Sequence, residues 1–173
     1  MVYAGNIGRM QNVESVIFVA DKMRDYYDIT FHIFGSGVYR ENLEKLAADL
    51  KTNNVIFHPM LSAEEAPALY SIADINIIPL RKDIYKTALP SKTATCLACG
   101  KPVILAIGTN SIFGTQLNVE TGADLVDSND IDGIEEAILK TKAKRSKQDA
   151  GNYFMEYFSK TINSNKYADL IIG

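Results

Sequence analysis

The sequence predicts a doubly wound α/β domain, with a mainly parallel six-stranded sheet and helices on both faces. Apolar runs typical of strands alternate along the chain with segments whose apolar residues recur at helical spacing. Most of the strand runs are apolar throughout, which is typical of parallel strands that are covered on both faces. Right-handed crossovers between such strands produce the doubly wound architecture.

Six strands are predicted from β-branched or aromatic runs that end in turn residues. They span residues 2–4, 29–34, 55–57, 75–78, 103–107 and 123–126. In folds of this class a ligand binds beyond the carboxyl ends of the strands. We therefore expect a site among residues 5–9, 35–37, 58–60, 79–81 and 107–109.

Helices are predicted between the strands from the spacing of apolar residues. The first presents Val13, Val16, Ile17, Ala20 and Met23, and the second presents Leu43, Leu46, Ala47 and Leu50. Ser62 and Glu65 form a predicted capping box, after which Pro67 is expected to delay or kink the third helix. Further helices are expected at 92–99, near 115–119 and after Asp130. Two final helices are marked by Tyr153, Phe154, Tyr157 and Phe158, then by Ile162, Leu170 and Ile171.

Composition is typical of one globular domain, here residues 1–173, with 47% hydrophobic and 23% charged residues. The formal net charge of −3 argues against a nucleic-acid-binding protein, since that function needs a basic surface. No apolar run reaches the roughly 18 residues of a membrane span. Two cysteines are too few for a disulfide scaffold, so we expect a cytoplasmic protein.

The run from Pro90 to Leu105 carries the strongest functional signal. Ser91 is predicted to cap a short helix that Gly100 ends before a buried strand. The start of this helix would present free backbone N–H groups, a hydroxyl and the Lys92 ammonium together. A cation is mildly unfavourable at the positive end of a helix, so a bound anion explains Lys92 better than helix stability does. We interpret the run as a phosphate-binding site, with an ordinary capped helix as the alternative.

Two glycine loops follow the first two strands. The first, residues 5–9, would let the backbone approach a ligand closely and ends in the cation of Arg9, although a plain turn is equally consistent with it. The second, Gly35-Ser36-Gly37, lacks the third glycine of a dinucleotide fingerprint. We therefore interpret the second loop as a structural turn.

Other reactive residue types receive structural interpretations. Cys96 and Cys99 are expected to pack in the core, because the chain has no second cysteine pair. His32 is expected to be a satisfied interior histidine, whereas His58 ends a strand and is a candidate to line the site. Asp127-Ser128-Asn129-Asp130 is interpreted as a turn and helix cap rather than as a metal site.

Two further clusters each leave an alternative open. The basic cluster is interpreted as a solvated helix end, with an anionic membrane surface as the alternative. It comprises Lys140, Lys142, Lys144, Arg145 and Lys147. The aromatic residues of the penultimate helix are interpreted as core, with contact to a second domain as the alternative.

Together these segments resemble the carboxyl-terminal, donor-binding domain of a GT-B fold glycosyltransferase of family 4, closest to its capsule and O-antigen branch. The resemblance runs in order over residues 2–140. Its pieces are Tyr3-Ala4-Gly5-Asn6-Ile7-Gly8, Phe34-Gly35-Ser36-Gly37, Asn54-Val55-Ile56-Phe57, Ala73-Asp74-Ile75, Pro90-Ser91-Lys92 and Ala98-Cys99-Gly100-Lys101-Pro102-Val103-Ile104.

The resemblance implies retaining transfer of a hexosyl-type sugar from a nucleotide diphosphate donor of the UDP or GDP type, with no cofactor and no required metal. It implies that the diphosphate is held by Gly8, Arg9, Ser91 and Lys92. It places the base against the backbone around His58–Met60. The catalytic residues are not identified.

Three departures from the family qualify these expectations. Thr87 and Thr95 stand where family members often carry glutamates near the sugar and the ribose. Asn6 and Gln11 stand where an arginine and a lysine usually hold phosphate, and we expect Arg9 to take their place. The acceptor domain that precedes this half in the family is absent, so we expect the chain to bind a nucleotide sugar without transferring it.

Two other functions are consistent with the residues. A sugar-nucleotide epimerase shares the architecture, although the chain shows no paired carboxylates for acid and base catalysis. A non-catalytic domain that binds a partner protein through its aromatic helices is the other. From the resemblance alone, the full-length enzyme is expected to contact the inner face of the membrane peripherally.

Overall fold

The computed structural model describes residues 1–82, 84, 90–144 and 150–165 and contains a six-stranded sheet. The strands are β1 (Val2–Ala4), β2 (Phe31–Phe34), β3 (Val55–His58), β4 (Asn76–Pro79), β5 (Val103–Ile107) and β6 (Asp124–Asp127). Their order is β3-β2-β1-β4-β5-β6, and every pair is parallel. This confirms the predicted fold class. The direction of chain winding reverses between β1 and β4, which is the topological switch point.

Helices connect the strands as the sequence predicts. They are α1 (Glu14–Lys22), α2 (Arg40–Leu50), α3 (Ala66–Ile72), α4 (Lys92–Ala98), α5 (Ile112–Thr121), α6 (Ile131–Lys144) and α7 (Ala150–Phe158). A short 3-10 helix, Arg9–Gln11, lies between β1 and α1. Residues 160–165 are also helical, whereas Leu170 and Ile171 lie outside the described residues.

The sheet has a hydrophobic core on each face. On one face, Tyr3, Ile33 and Ile77 pack in a cluster with buried residues of α1, α2 and α6. On the other face, Ala4 and Leu105 belong to a cluster that includes residues of α3, α4, α5 and α7. Apolar side chains on both sides of one strand explain why the strand sequences are apolar throughout.

The second face remains open over β2 and β3. His32 and Phe34 of β2 and His58 of β3 line a groove of about 1030 Å³ there. His32 is only partly buried, so the prediction of an interior histidine is wrong in that respect. Its hydrogen-bonding requirement is nevertheless met, because His32 Nδ1 lies 3.0 Å from His58 Nε2.

Local signals predicted the helix starts with mixed success. Ser62 and Glu65 form the reciprocal capping box, with hydrogen bonds of 2.9 and 3.2 Å, and α3 begins just after it with Pro67 in its first turn. Asp130 Oδ1 accepts from Gly133 N at 2.9 Å and so caps α6. Ser91 does not cap α4 with its hydroxyl: its backbone is already helical, so the side chain is not placed to accept from the first turn.

The two glycine loops lie backbone against backbone at the carboxyl ends of β1 and β2. Ile7 N donates to Ser36 O at 2.8 Å, and Tyr39 N donates to Ile7 O at 3.1 Å. A Cβ added at Gly35 would lie 2.0 Å from Gly5 O, and one added at Gly37 would lie 2.3 Å from Ile7 O. Residues 35–37 therefore have a structural role in holding the first loop, which supports their interpretation as a structural segment.

We predict that Gly35→Ala lowers the free energy of unfolding by about 3 kcal/mol or more, because the methyl group meets backbone that cannot retreat. Urea denaturation measures the loss. The matched control is Gly122→Ala, where φ is +71° but no atom lies within 4 Å of the added Cβ. That variant should lower the free energy of unfolding by only about 1–2 kcal/mol, which is the cost of placing alanine in a left-handed backbone conformation. Equal losses in the two variants would contradict the close approach.

Candidate functional site

The candidate site lies at the carboxyl edge of the sheet, at the switch point between β1 and β4. The loop after β1 is fixed on one side by the Gly35–Gly37 turn and on the other by Arg81 N, which donates to Met10 O at 2.9 Å. The start of α4 approaches the same loop, since Gly5 and Lys92 are in contact. Segments that are distant in sequence thus meet where this class of fold binds its ligands.

Lys92 reaches over the first strand. Its Nζ lies 3.9 Å from the centroid of the Tyr3 ring, and a Cβ added at Gly5 would lie 2.7 Å from it. Tyr3 is held in place by a 2.5 Å hydrogen bond from its hydroxyl to Asn6 O. Glycine at position 5 therefore leaves the room that the ammonium occupies.

The Lys92 ammonium is buried and has no anionic partner within the described part of the chain. Its Nζ has no hydrogen-bond partner there and forms no ion pair. Burial lowers the pKa of Lys92 from 10.5 to about 8, because the charged form loses its hydration. A cation held mainly by an aromatic ring is an available partner for an anionic ligand.

The first turn of α4 contains a polar group that the sequence did not indicate. Thr93 is 1% exposed, and its Oγ1 finds no hydrogen-bond partner among the residues that the structure describes. Its backbone N donates to Pro90 O at 2.9 Å, which replaces the expected cap by Ser91. Ser91 itself is exposed at the edge. A small polar residue following a lysine carries no sequence signal that would have singled out Thr93.

Gly8 and Arg9 are only partly available to bind a ligand. Gly8 N donates to Gln11 Oε1 at 3.0 Å, so this amide already has an intramolecular partner. Arg9 is exposed, and its guanidinium carbon lies 5.9 Å from the centroid of the Tyr39 ring. Arg9 therefore presents its charge at the surface of the edge, whereas the charge of Lys92 is buried.

His58 ends β3 at the same edge, and Met60 lies exposed just beyond it. The His58 ring stacks on Phe34, with centroids 4.1 Å apart and an interplanar angle of 8°. Burial, then the amino-terminal ammonium and His58, lower the pKa of His32. Stacking and the histidine pair thus fix the orientation of the His58 side chain.

Arg40 is a second residue that sequence analysis missed. Its Nη1 donates to Gly35 O and to His58 O, each at 2.5 Å, and its Nε donates to Glu44 at 2.7 Å. Its guanidinium lies 5.7 Å from the centroid of Phe57. An arginine in the first turn of a helix gives no sequence signal of contact with two strand ends.

Other predicted residues are placed as follows. Thr87 lies outside the described residues, and Thr95 is half-buried in the first half of α4. Cys96 is buried in the core as predicted, Cys99 is only partly buried against it, and both cysteines are free. Asn129 N donates to Asp127 Oδ1 at 3.1 Å, which confirms the turn in that segment.

The described members of the basic and aromatic clusters have ordinary structural contacts, whereas Arg145 and Lys147 lie outside the described residues. Lys140 pairs with Asp124 at 2.7 Å and Lys142 pairs with Asp28, as expected for a solvated helix end. Phe154 and Phe158 pack against the second core, whereas Tyr157 is 44% exposed. In the described ranges, three or more potential metal ligands nowhere come together, and no helix is both long and apolar enough to span a bilayer.

The fold and this edge define a class: a doubly wound domain whose ligand site lies at the topological switch point, with a buried cation available to an anion. The chain belongs to the family of glycosyl transferases group 1, whose family model matches residues 1–154. This supports the glycosyltransferase resemblance seen in the sequence.

Similar proteins agree with this assignment. The chain is 33% identical over 122 residues to a putative colanic acid biosynthesis glycosyl transferase of Escherichia coli, a match that covers 70% of this chain and 28% of the relative. It is 33% identical over 117 residues to a GDP-mannose-dependent phosphatidylinositol monomannoside mannosyltransferase of Mycolicibacterium smegmatis, covering 64% of this chain and 30% of the relative. The chain thus spans less than a third of either relative.

A solved structure shows the same fold at low identity. Anabaena HepE in complex with UDP-glucose superposes with a TM-score of 0.78 and 15% identity, over 99% of this chain and 48% of that one. The shared fold includes the switch point at which the candidate site lies.

We predict that Lys92→Met raises the free energy of unfolding at pH 7 by roughly 1–3 kcal/mol, because it removes a buried charge at the loss of one ring contact. The pKa of Lys92 is lower in the folded chain than its ordinary 10.5, so the wild-type penalty is full below pH 8 and disappears as the pH rises toward 10.5. Urea denaturation at a series of pH values measures both effects.

The control for this prediction is Lys45→Met, whose side chain is 78% exposed and lies 3.5 Å from Asp49. It should change the free energy of unfolding by no more than about 0.5 kcal/mol at any pH. A stability loss in Lys92→Met at pH 7 would show that the ammonium has a partner and would contradict the assignment.

Proposed function

We propose that the chain is the donor-binding domain of a retaining glycosyltransferase of family 4. It binds a nucleotide diphosphate sugar, of the UDP or GDP type, for transfer of a hexosyl group to a polysaccharide or lipid-linked acceptor. Membership in the family of glycosyl transferases group 1 supports the reaction class. The donor type is suggested by relatives, one named as GDP-mannose-dependent and another solved with UDP-glucose.

The observation that carries the proposal is the buried ammonium of Lys92 at the switch point, which is unpaired among the described residues. A buried cation without an anion destabilises a protein. The presence of the Lys92 ammonium is therefore best explained by a ligand that supplies the negative charge. A diphosphate is such a ligand. Its binding would raise the pKa of Lys92 from about 8, because a nearby negative charge favours the protonated form.

Each residue then has a role in holding the donor. Lys92, at the start of α4 beside Ser91, contacts the diphosphate from one side, and Arg9 contacts it from the loop that begins at Gly5. His58 and Met60 flank the base at the end of β3. Recognition of the sugar and the ribose falls to the positions of Thr87 and Thr95, where the family often carries glutamates.

The chemical contribution of these groups is stabilisation of the leaving group. As the bond between sugar and diphosphate breaks, negative charge grows on the departing phosphate oxygens. Cations that are already in position stabilise that charge without reorganising. The scheme requires no divalent metal.

The whole protein requires a second domain for its reaction. The chain spans about 30% of its curated relatives, which is consistent with an amino-terminal acceptor-binding domain elsewhere in the full protein. We propose that the isolated chain binds the donor but transfers no sugar. The similarity to a colanic acid biosynthesis enzyme supports a role in polysaccharide biosynthesis. We propose that this role is capsule or O-antigen assembly and that the full enzyme acts in the cytoplasm at the inner face of the membrane.

We predict that one nucleoside diphosphate or its sugar stabilises the chain selectively. A thermal-shift panel should contain the uridine, guanosine, adenosine and cytidine diphosphates and their common sugars. The matching ligand at one hundred times its dissociation constant adds about 2.7 kcal/mol of stability, a shift of several degrees. No shift with any ligand would sink the proposal and would favour a domain that binds a partner protein instead.

We predict that Lys92→Met weakens binding of the matching nucleotide sugar by about ten- to hundredfold in calorimetry, because it removes the charge that faces the diphosphate. Wild-type affinity should fall as the pH rises through about 8, where Lys92 loses its proton, and the variant should lack this dependence.

The control is Lys101→Met, which removes a charge just beyond the opposite end of α4. Its affinity should match the wild type, with the same dependence on pH. Unchanged affinity in Lys92→Met would remove Lys92 from the site.

A further inference from the structure

We infer that Arg40 is a positioning residue for the nucleoside half of the donor: it fixes the end of β3 against which the base binds. The inference rests on the proposed function. Its basis is the pair of 2.5 Å hydrogen bonds from Arg40 Nη1 to the carbonyl oxygens of Gly35 and His58. Gly35 follows β2, and His58 is the last residue of β3, so one guanidinium joins two strand ends.

Arg40 is itself held rigidly. Its Nε donates to Glu44 Oε1, one turn later on α2, and its guanidinium lies over the Phe57 ring. A planar guanidinium with several fixed partners can hold two carbonyl groups at a defined separation. A lysine, with a single compact charge on a flexible chain, holds such a pair less well.

The two strand ends depend on Arg40 to different degrees. Gly35 is also packed against Gly5, and Gly5 N donates to Phe34 O at 3.0 Å, so the β2 end stays in place without Arg40. The other hydrogen bond to His58 O within the described residues comes from Gly35 N and is long, at 3.4 Å. The segment that follows begins at Pro59, which has no N–H to donate. Loss of Arg40 therefore loosens mainly the backbone at the end of β3, while the His58 ring keeps its stacking on Phe34.

This asymmetry predicts a selective effect on binding. On the proposed function the diphosphate lies against the Gly5 loop and the start of α4. The Gly5 loop touches Gly35, but it keeps its own hydrogen bonds from Gly5 N to Phe34 O and from Ile7 N to Ser36 O, so its position does not depend on Arg40. The base lies against His58 and the residues that follow. Substitution of Arg40 should therefore weaken binding of a complete nucleotide and leave binding of a bare diphosphate unchanged.

The test compares two probes by calorimetry: inorganic pyrophosphate, and whichever of UDP or GDP binds the wild-type chain more tightly. Arg40→Met keeps the packing over Phe57. It should lower the affinity for the nucleotide at least about tenfold and change the affinity for pyrophosphate less than about twofold. Arg40→Lys keeps the charge, and its affinity for the nucleotide should lie between those of Arg40→Met and the wild type. Lys92→Met should weaken both probes alike.

Arg24→Met is the matched control, because Arg24 also donates to a backbone carbonyl, at Asp21, and pairs with the Asp21 carboxylate. It lies at the end of α1, away from the loops of the site, and should change neither affinity. Circular dichroism establishes that each variant is folded at the assay temperature, and Arg40→Lys serves if Arg40→Met does not fold.

Each result bears on one claim. Equal loss of pyrophosphate and nucleotide binding in both Arg40 variants would show a merely structural role and would overturn the inference. Unchanged nucleotide binding in them would overturn it as well. A wild-type chain that binds pyrophosphate but neither nucleotide would refute the proposed function itself, and the inference with it.

Discussion

The carboxyl edge of this sheet depends on contact between two stretches of backbone. Gly5 O and Ile7 O occupy the positions that side chains at 35 and 37 would need, so the loops after β1 and β2 can meet only where both positions are glycine. This contact fixes the first loop over the switch point. The room beside Gly5 then accommodates Lys92, and Gly35 O becomes one of the two carbonyls that Arg40 joins. Close approach at one place thus sets the geometry of the whole edge.

Two cations at this edge differ in the partners they have, and on the proposed function the difference separates a residue that positions the site from one that contacts the ligand. Arg40 has two carbonyl oxygens, a carboxylate and an aromatic ring as partners. Lys92 has the Tyr3 ring and no hydrogen-bond acceptor in the described residues. A cation with several fixed partners holds neighbouring segments together, whereas a buried cation without an anion lowers stability. On the proposed function, selection for binding rather than for stability explains why the chain keeps such a lysine.

Local patterns were sufficient to predict the fold from the sequence. Uniformly apolar runs indicate a parallel sheet, and the five buried residues predicted for the first helix, Val13 to Met23, are each no more than 1% exposed. Strand ends shifted by one or two residues, as at β2, because pairing with neighbours decides them. The site was less predictable. The sequence indicated Lys92, but the predicted cap by Ser91 was wrong, because the turn already begins at Pro90, whose carbonyl oxygen accepts from Thr93 N. The contact of Arg40 with His58 and the pair of His32 and His58 join residues 18 or more positions apart, which periodicity does not encode.

The threonine at position 95 leaves Lys92 without a carboxylate partner on its own helix. Residues three apart on a helix are neighbours, so a glutamate at 95, as is common in the family, would be placed to pair with Lys92. Threonine cannot neutralise the ammonium, and no carboxylate in the described residues replaces the missing one. On the proposed function, the charge of Lys92 is therefore available to the ligand. On the proposed function, the chain exchanges a carboxylate that would contact the ribose for a stronger cationic contact with the diphosphate, so its affinity for a donor should depend more on the phosphates and less on the sugar of the nucleoside.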